Sequence, residues 1–177
     1  AARHDLAGAL SRVESMCRQG LSLEMILLEL IGPTARLLGQ QWLDDQRSFT
    51  EVSAGLGTLQ QMVHVLSPSF APMIPHRGLV LLTAAPGEQH TLGLFLLGEF
   101  LRRAGYGVQV APAMSEAELL ATVAAERVEL LGFTISNDAL LTSLGELLGR
   151  VRKAARHREM MVALGGSLDL ADYAQRH

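Results

Sequence analysis

The chain has 177 residues, a formal charge of −3 and a pI near 6.1, and 49% of its residues are hydrophobic, which is enough for a continuous core in one large domain or two small ones. That composition excludes collagen-like, mucin-like and disordered chains, and it leaves no basic footprint for direct nucleic-acid binding. The longest apolar runs, Leu79 to Ala85 and Leu92 to Leu97, are too short to span a bilayer. Cys17 is the single cysteine, so no internal disulfide can form; a lone thiol without a signal peptide fits a reducing cytoplasm.

Residues 1–67 read as a bundle of four helices. Leu6, Leu10, Val13 and Cys17 recur at three and four residues, and Gly20 ends that helix. Ser22 is placed to cap the second, which carries Leu23, Ile26, Leu27 and Leu30 on one stripe. Gly32-Pro33 is expected to break it and open a third helix with Leu37, Leu38 and Trp42 on its apolar side. Asp44-Asp45-Gln46 is a turn, and a fourth helix runs from Ser48 to Leu66 with Val52, Leu56, Leu59 and Val63 inward. Pro68, Pro72 and Pro75 mark 68–77 as a linker to a second domain, 78–177.

Beyond the linker the period changes. Gly78 to Ala84 is a short continuous apolar run, as a strand buried on both faces requires. A helix follows with Leu92, Phe95, Leu96 and Phe100 inward and Glu99, Arg102 and Arg103 outward, ending at Gly105. Tyr106 to Ala111 is a second strand, Ser115 and Glu118 form a capping box for the next helix, and Val128 to Ile135 is a third strand. Leu140, Leu141, Leu144, Leu147, Leu148 and Val151 stripe another helix, with Arg150, Arg152 and Lys153 favourably placed at its negative end. Met160 to Leu164 is the fourth strand.

Strict alternation of strand and helix predicts a parallel, Rossmann-like sheet in flavodoxin-like order, with ligands bound at the carboxyl ends of the strands. Three loops then hold the candidates. In Glu88-Gln89-His90, the carboxylate can hold the imidazole and raise its basicity toward a metal, or His90 simply starts a helix. Gly93 would let a planar ligand approach the helix backbone. The hydroxyls of Thr134 and Ser136 can bond a ligand or cap the following helix, and Gly165-Gly166 offers either close backbone approach or a plain turn. Hydrolase elbows, phosphate-binding loops and zinc spacings are lacking, and Ala84-Ala85 lacks the acids of a receiver domain. His4, His64, His76, His157 and His177 show no ligand spacing and read as surface or linker residues.

Together the three loops resemble the cobalamin-binding domain family, whose pattern is Asp-x-His-x-x-Gly, Ser-x-Leu and Gly-Gly after strands one, three and four. Here these are Glu88-x-His90-x-x-Gly93, Thr134-x-Ser136 and Gly165-Gly166. The family also places a helical bundle before the α/β half as a cap, with a tryptophan followed about ten residues later by Glu-His; here Trp42 is followed by Glu51-Val52. The stretch Trp42 to Val52, with Gly87 to Gly93 and Arg102 to Gly105, is similar to the AppA, PpaA and AerR group of bacterial photosynthesis antirepressors. Their version of the domain is described as a sensor containing haem instead of cobalamin.

The resemblance implies a sensory domain and not an enzyme. It implies haem or cobalamin as the cofactor, with His90 as the metal ligand and Glu88, Gly93, Thr134, Ser136, Gly165, Gly166 and Trp42 around it. Trp42 is expected in the crevice between bundle and sheet. The implied partner is a repressor protein of the PpsR or CrtJ type, contacted without direct nucleic-acid or membrane binding. Glu88 for Asp, Thr134 for Ser, Ser136 for Leu and Val52 for His are departures from the pattern. They leave open a haem ligand, a weakened corrinoid site, or an empty pocket in a cofactor-free interaction module. No fifth strand or last helix of the family fold is read in the sequence, and the start at Ala1 and the stop at His177 lead to the expectation of an excerpt from a longer protein.

Overall fold

Three helix starts in the first part of the chain are set by short polar side chains that take an otherwise unpaired amide. In the computed structural model, which describes residues 5–67 and 77–168, the Asp5 carboxylate accepts from the Gly8 amide at 2.8 Å and begins α1 (Leu6–Arg18). Ser22 does the same for α2 (Leu23–Met25) through the Met25 amide at 3.3 Å. Ser48 and Glu51 form a capping box at the start of α4 (Phe49–Leu66). The expected linker 68–77 lies outside the described residues except for Arg77. The chain divides into two compact units, Ala1–Pro72 and Met73–His177.

Gly32-Pro33 does not break the helix. α2 passes through a π-helical turn, Ile26–Ile31, into α3 (Gly32–Leu43), with right-handed helical backbone at each joint. Pro33 has no amide for the Glu29 carbonyl, and its ring needs room there. Widening the turn supplies that room, and the Gly32 amide reaches back five residues to the Leu27 carbonyl. The inserted residue also rotates the buried stripe. Ile31 is buried where Leu30 was expected, and Leu37 and Trp42 end 57% and 47% exposed instead of continuing the apolar side. The core of this unit is Val13, Leu23, Ile26, Leu27, Ile31, Val52, Leu59, Met62, Val63 and Leu66.

The second unit is a four-stranded, wholly parallel sheet in the order β2-β1-β3-β4, formed by β1 (Leu79–Ala84), β2 (Gly107–Val110), β3 (Val128–Thr134) and β4 (Met161–Gly165). The expected α/β architecture and strand positions are those found. Alternate residues of β1 feed two cores. Val80, Leu82 and Ala84 pack with Leu94 and Leu101 of α5 (Leu92–Arg103). Leu81, with Leu131, Phe133 and Ile135, packs against Leu119 and Val123 of α6 (Glu116–Ala125) and Leu144, Leu147, Leu148 and Val151 of α7 (Leu141–Ala154). The capping box of Ser115 and Glu118 is present.

Two side chains lie elsewhere than expected. Glu99 is buried, not outward, because α5 turns Leu94, Gly98 and Leu101 to the sheet. Gly98 comes so close that a Cβ there would lie 2.8 Å from Val110 Cγ2. Arg102 accompanies the buried carboxylate at 3.3 Å. His157 is not a surface residue. Its side chain is 10% exposed, and its Nε2 lies 3.0 Å from Glu129, which Arg127 also holds. Among the described residues no helix is long and apolar enough to cross a membrane.

Leu144 is fully buried between sheet and α7, whereas Leu97 on α5 is 45% exposed. Leu144→Ala is expected to destabilise the α/β unit by about 2–5 kcal/mol and Leu97→Ala by less than about 1 kcal/mol. Urea unfolding followed by a probe in that unit measures the difference.

Candidate functional site

β1 lies between β2 and β3, so the strand order reverses at the carboxyl ends of β1 and β3, where an open α/β sheet forms its crevice. The chain leaves β1 in a tight turn. The Glu88 amide donates to the Ala85 carbonyl at 2.9 Å, with Pro86 and Gly87 at the two corners and Gly87 at φ +86. Proline followed by a glycine with positive φ is the signature of a type II turn. It directs Glu88 back toward the loop after β3.

There the Glu88 side chain is 2% exposed and surrounded by donors. Oε1 accepts from the Gln89 and His90 amides at 2.7 Å each and lies 2.7 Å from His90 Nδ1. Oε2 accepts from the Ser136 amide and, at 2.7 Å, from the Ser136 hydroxyl. Ser136 Oγ in turn lies 2.8 Å from His90 Nδ1. Burial works against the charge. The hydrogen bonds from the His90 amide, the Ser136 hydroxyl, the His90 ring and the Ser136 amide outweigh it and hold the carboxyl at about 2.

The imidazole is fixed at one nitrogen and open at the other. Its side chain is 75% exposed, and Nδ1 carries both contacts, so Nε2 is left to the outside. Since Ser136 and Glu88 meet the same nitrogen, the three residues do not form a serine–histidine–acid relay, which needs the acid and the serine on opposite nitrogens.

Thr134, 8% exposed at the end of β3, donates to the His90 carbonyl at 3.3 Å and ties the two loops a second time. Gly93 opens α5, and a Cβ there would meet nothing within 4 Å; the same holds at Gly165. Gly166 differs, because at φ +148 its Cβ would collide with the Ile135 backbone. Trp42 lies in the helical unit, with its ring 6.3 Å from that of Phe49 in an edge-on pair. Val52, at the position of the sensors' histidine, is 6% exposed and belongs to the core of that unit, while Glu51 caps α4.

The structure therefore brings Glu88, His90, Thr134 and Ser136 together. Ser136 does not cap the following helix; Asn137 does, accepting from the Ala139 amide at 3.0 Å. The role of Ser136 as a partner of Glu88 was not foreseen, though Pro86-Gly87 signalled a turn that would aim Glu88 across the loops.

Residues 78–176 match the family model of the B12 binding domain. The chain belongs to the B12-binding domain family. It is also similar to an uncharacterized 20.5 kDa protein in the bchF-crtJ intergenic region of Rhodobacter capsulatus, with 28% identity over 148 residues covering 82% of this chain and 77% of that protein. A solved cobalamin-binding protein from Desulfitobacterium hafniense DCB-2 is 16% identical, with a TM-score of 0.49 over 98% of this chain and 82% of that chain.

The donor set of this B12-binding domain fits a metal that brings most of its own ligands. Among the described residues no group of three or more His, Cys, Asp or Glu could hold a metal ion, so a bare ion has no cage. A single outward imidazole nitrogen, with its other nitrogen fixed by a carboxylate, would suit a metal already held by a macrocycle, with His90 as the residue that would hold it.

Because folding depresses the Glu88 pKa, its contribution to stability is complete above the ordinary value of 4.5 and is lost as the pH falls toward about 2. Ser136→Ala removes one donor and should raise the Glu88 midpoint, so that acid destabilisation begins at higher pH. Side-chain carboxyl NMR titration of both proteins measures it. A second contrast lies in the glycine pair. Gly166→Ala should lower the stability of the unit by about 1–3 kcal/mol, while Gly165→Ala has room for its methyl and should cost less than about 1 kcal/mol, as read by thermal unfolding.

Proposed function

We propose that the chain is the sensory domain of a transcriptional antirepressor, binding a corrinoid or haem through His90 Nε2 and contacting a repressor protein that controls photosynthesis genes. The observation that carries the ligand half is the fixed imidazole, with Nδ1 facing Glu88 and Ser136 and Nε2 left outward. A bound corrinoid or haem would supply a coloured metal centre whose axial position His90 can fill. Glu88 fixes the ring and strengthens the nitrogen as a donor. Gly93 and Gly165 leave open backbone for a large planar ligand.

Membership of the B12-binding family supports the corrinoid, and the similarity to a protein encoded between bchF and crtJ supports the regulatory role. Within the antirepressors we assign the domain to the AppA type, on the stretch Trp42 to Val52 and the loop Gly87 to Gly93. A regulator of this kind acts in the cytoplasm by protein contact and performs no catalysis. The charge of −3 supports contact with a repressor in place of DNA.

A second reading, a cofactor-free interaction module, is favoured by one feature. The Ser136 and Thr134 hydroxyls are both engaged inside the protein, and among the described residues no buried side-chain polar atom lacks a partner. Titration with hydroxocobalamin and with haemin decides between the two, followed by absorption and by quenching of Trp42, the chain's one tryptophan. The wild type should bind with a shifted metal spectrum, and His90→Ala should abolish the shift. Glu88→Gln should do less, weakening binding by about tenfold because an acceptor for Nδ1 remains while the charge is lost. Equal affinity in wild type and His90→Ala would remove His90 as the ligand. Binding of neither cofactor would leave the interaction module.

A further inference from the structure

We infer that the amino-end edge of the parallel sheet, the edge opposite His90, is a docking surface for an acidic segment of a protein partner. It requires neither the cofactor nor the repressor proposed above. Of the nine arginines and lysines from 77 to 168, none stands at the carboxyl-end edge with the candidate site. Arg77 precedes β1, Arg127 precedes β3, and Arg156 and Arg158 precede β4. Arg102 and Arg103 close α5, and Arg152 and Lys153 close α7. Arg150 lies further back on α7, paired twice with Glu116. Because the four strands are parallel, their starts line one edge, about 4.8 Å apart in the order β2-β1-β3-β4. Acids fall the other way: Glu88, Glu116, Glu118 and Asp138 stand after strands or at helix starts.

Helix dipoles account for part of this, since cations in the last turns of α5 and α7 complement the negative helix ends. They do not account for Arg77 and Arg127, nor for the state of three side chains near the start of β4. Lys153, Arg156 and Arg158 are exposed, and among the described residues none of them has a carboxylate within ion-pair distance. Two of the three are nevertheless held. Arg156 donates to the Ala125 carbonyl at the end of α6 at 2.8 Å, and Arg158 donates to the Arg152 carbonyl at 3.5 Å. A guanidinium has five N–H donors in a fixed fork, so each keeps donors for a carboxylate while its position is already set. Ordering completed before binding lowers the entropic cost of the contact.

The acids interleaved with these cations select the class of partner. Glu126 and Glu159 are exposed at the same edge, and Glu129 lies against Arg127 and His157. A nucleic-acid backbone presents an unbroken row of negative charge and would be repelled at each of them. A polypeptide can set its carboxylates on the cations and neutral residues beside the acids, so a surface of mixed sign fits a protein.

The test is fluorescence anisotropy of a fluorescein-labelled peptide of alternating glutamate and glycine, added to the whole chain at about 0.15 M ionic strength. Wild type should bind it, and joint reversal by Lys153→Glu, Arg156→Glu and Arg158→Glu should weaken binding at least about tenfold. Lys153→Glu alone guards against misfolding, because Lys153 makes no hydrogen bond among the described residues; it should weaken binding by about two- to fivefold. A matched control reverses three exposed cations of the helical unit, Arg12→Glu, Arg18→Glu and Arg36→Glu, and should stay within about twofold of wild type although the net charge changes equally. No binding by wild type, an unchanged triple variant, or an equal loss in the control would overturn the inference. A DNA duplex of matched charge should bind more weakly than the peptide; tighter binding of the duplex, lost on the same triple reversal, would overturn it in favour of nucleic acid.

Discussion

The site depends on one buried carboxylate. Glu88 is 2% exposed in its side chain, and backbone amides, the Ser136 hydroxyl and the His90 ring surround it. A buried anion of this kind is costly unless its lone pairs are filled, and here amides from two loops and the Ser136 hydroxyl fill them. Its neighbours are constrained in consequence. The loop after β1 must bend sharply enough to turn Glu88 inward, the loop after β3 must present Ser136 with both amide and hydroxyl, and His90 must lie with Nδ1 against the acid. Glu88 and Ser136 are 48 residues apart in sequence, and the carboxylate extends across the loops the junction that the β1–β3 ladder makes up to the Ala85 amide and Thr134 carbonyl, 3.0 Å apart.

The parallel sheet was legible in the sequence because each of its strands is a short apolar run and each intervening helix carries its own stripe. Those are local patterns, and local physics produces them. The misplaced side chains share a different cause. Gly32-Pro33 carries a strong breaking signal, yet packing of Ile26, Leu27 and Ile31 into the core of the helical unit holds the backbone helical, and a π-turn absorbs the missing amide. Glu99 lies on the polar side of any helical wheel that places Phe95 and Phe100 inward. Its burial follows from the close seat of Gly98 on β2, which a wheel does not contain. His157 is turned inward with Nε2 3.0 Å from Glu129, a partner on another element. Propensity and period act within a helix or strand; each of these outcomes was decided between elements.

The candidate site was partly legible for the same reason. His90 and Glu88 stand two residues apart, so their pairing can be read from spacing once the turn at Pro86-Gly87 is granted. Ser136 cannot be found that way, because only the register of β3 beside β1 brings it to Glu88. The family pattern has a leucine where Ser136 stands, a departure that by itself leaves a haem ligand, a weakened corrinoid site and an empty pocket all open. In the structure the serine meets the longer acid. An aspartate at 88, one methylene shorter, would reach less far toward the β3 loop. Glu88 and Ser136 therefore make physical sense as a pair and are poorly explained one at a time.

The glycine pair after β4 shows how a motif can hold two unrelated constraints. Gly166 is required by the fold itself, since any side chain there would collide with the Ile135 backbone. Gly165 has open space around its Cβ position, and nothing in the protein demands a glycine there. Gly93 is alike in this respect. The folded chain thus accounts for Gly166, Gly87 and Gly98, and leaves Gly93 and Gly165, like Gly39, Gly57 and Gly149 within helices, without an internal reason among the described residues. What sets Gly93 and Gly165 apart from the other three is their place, at the start of α5 and the end of β4, on the carboxyl-end edge where an open α/β sheet takes its ligand.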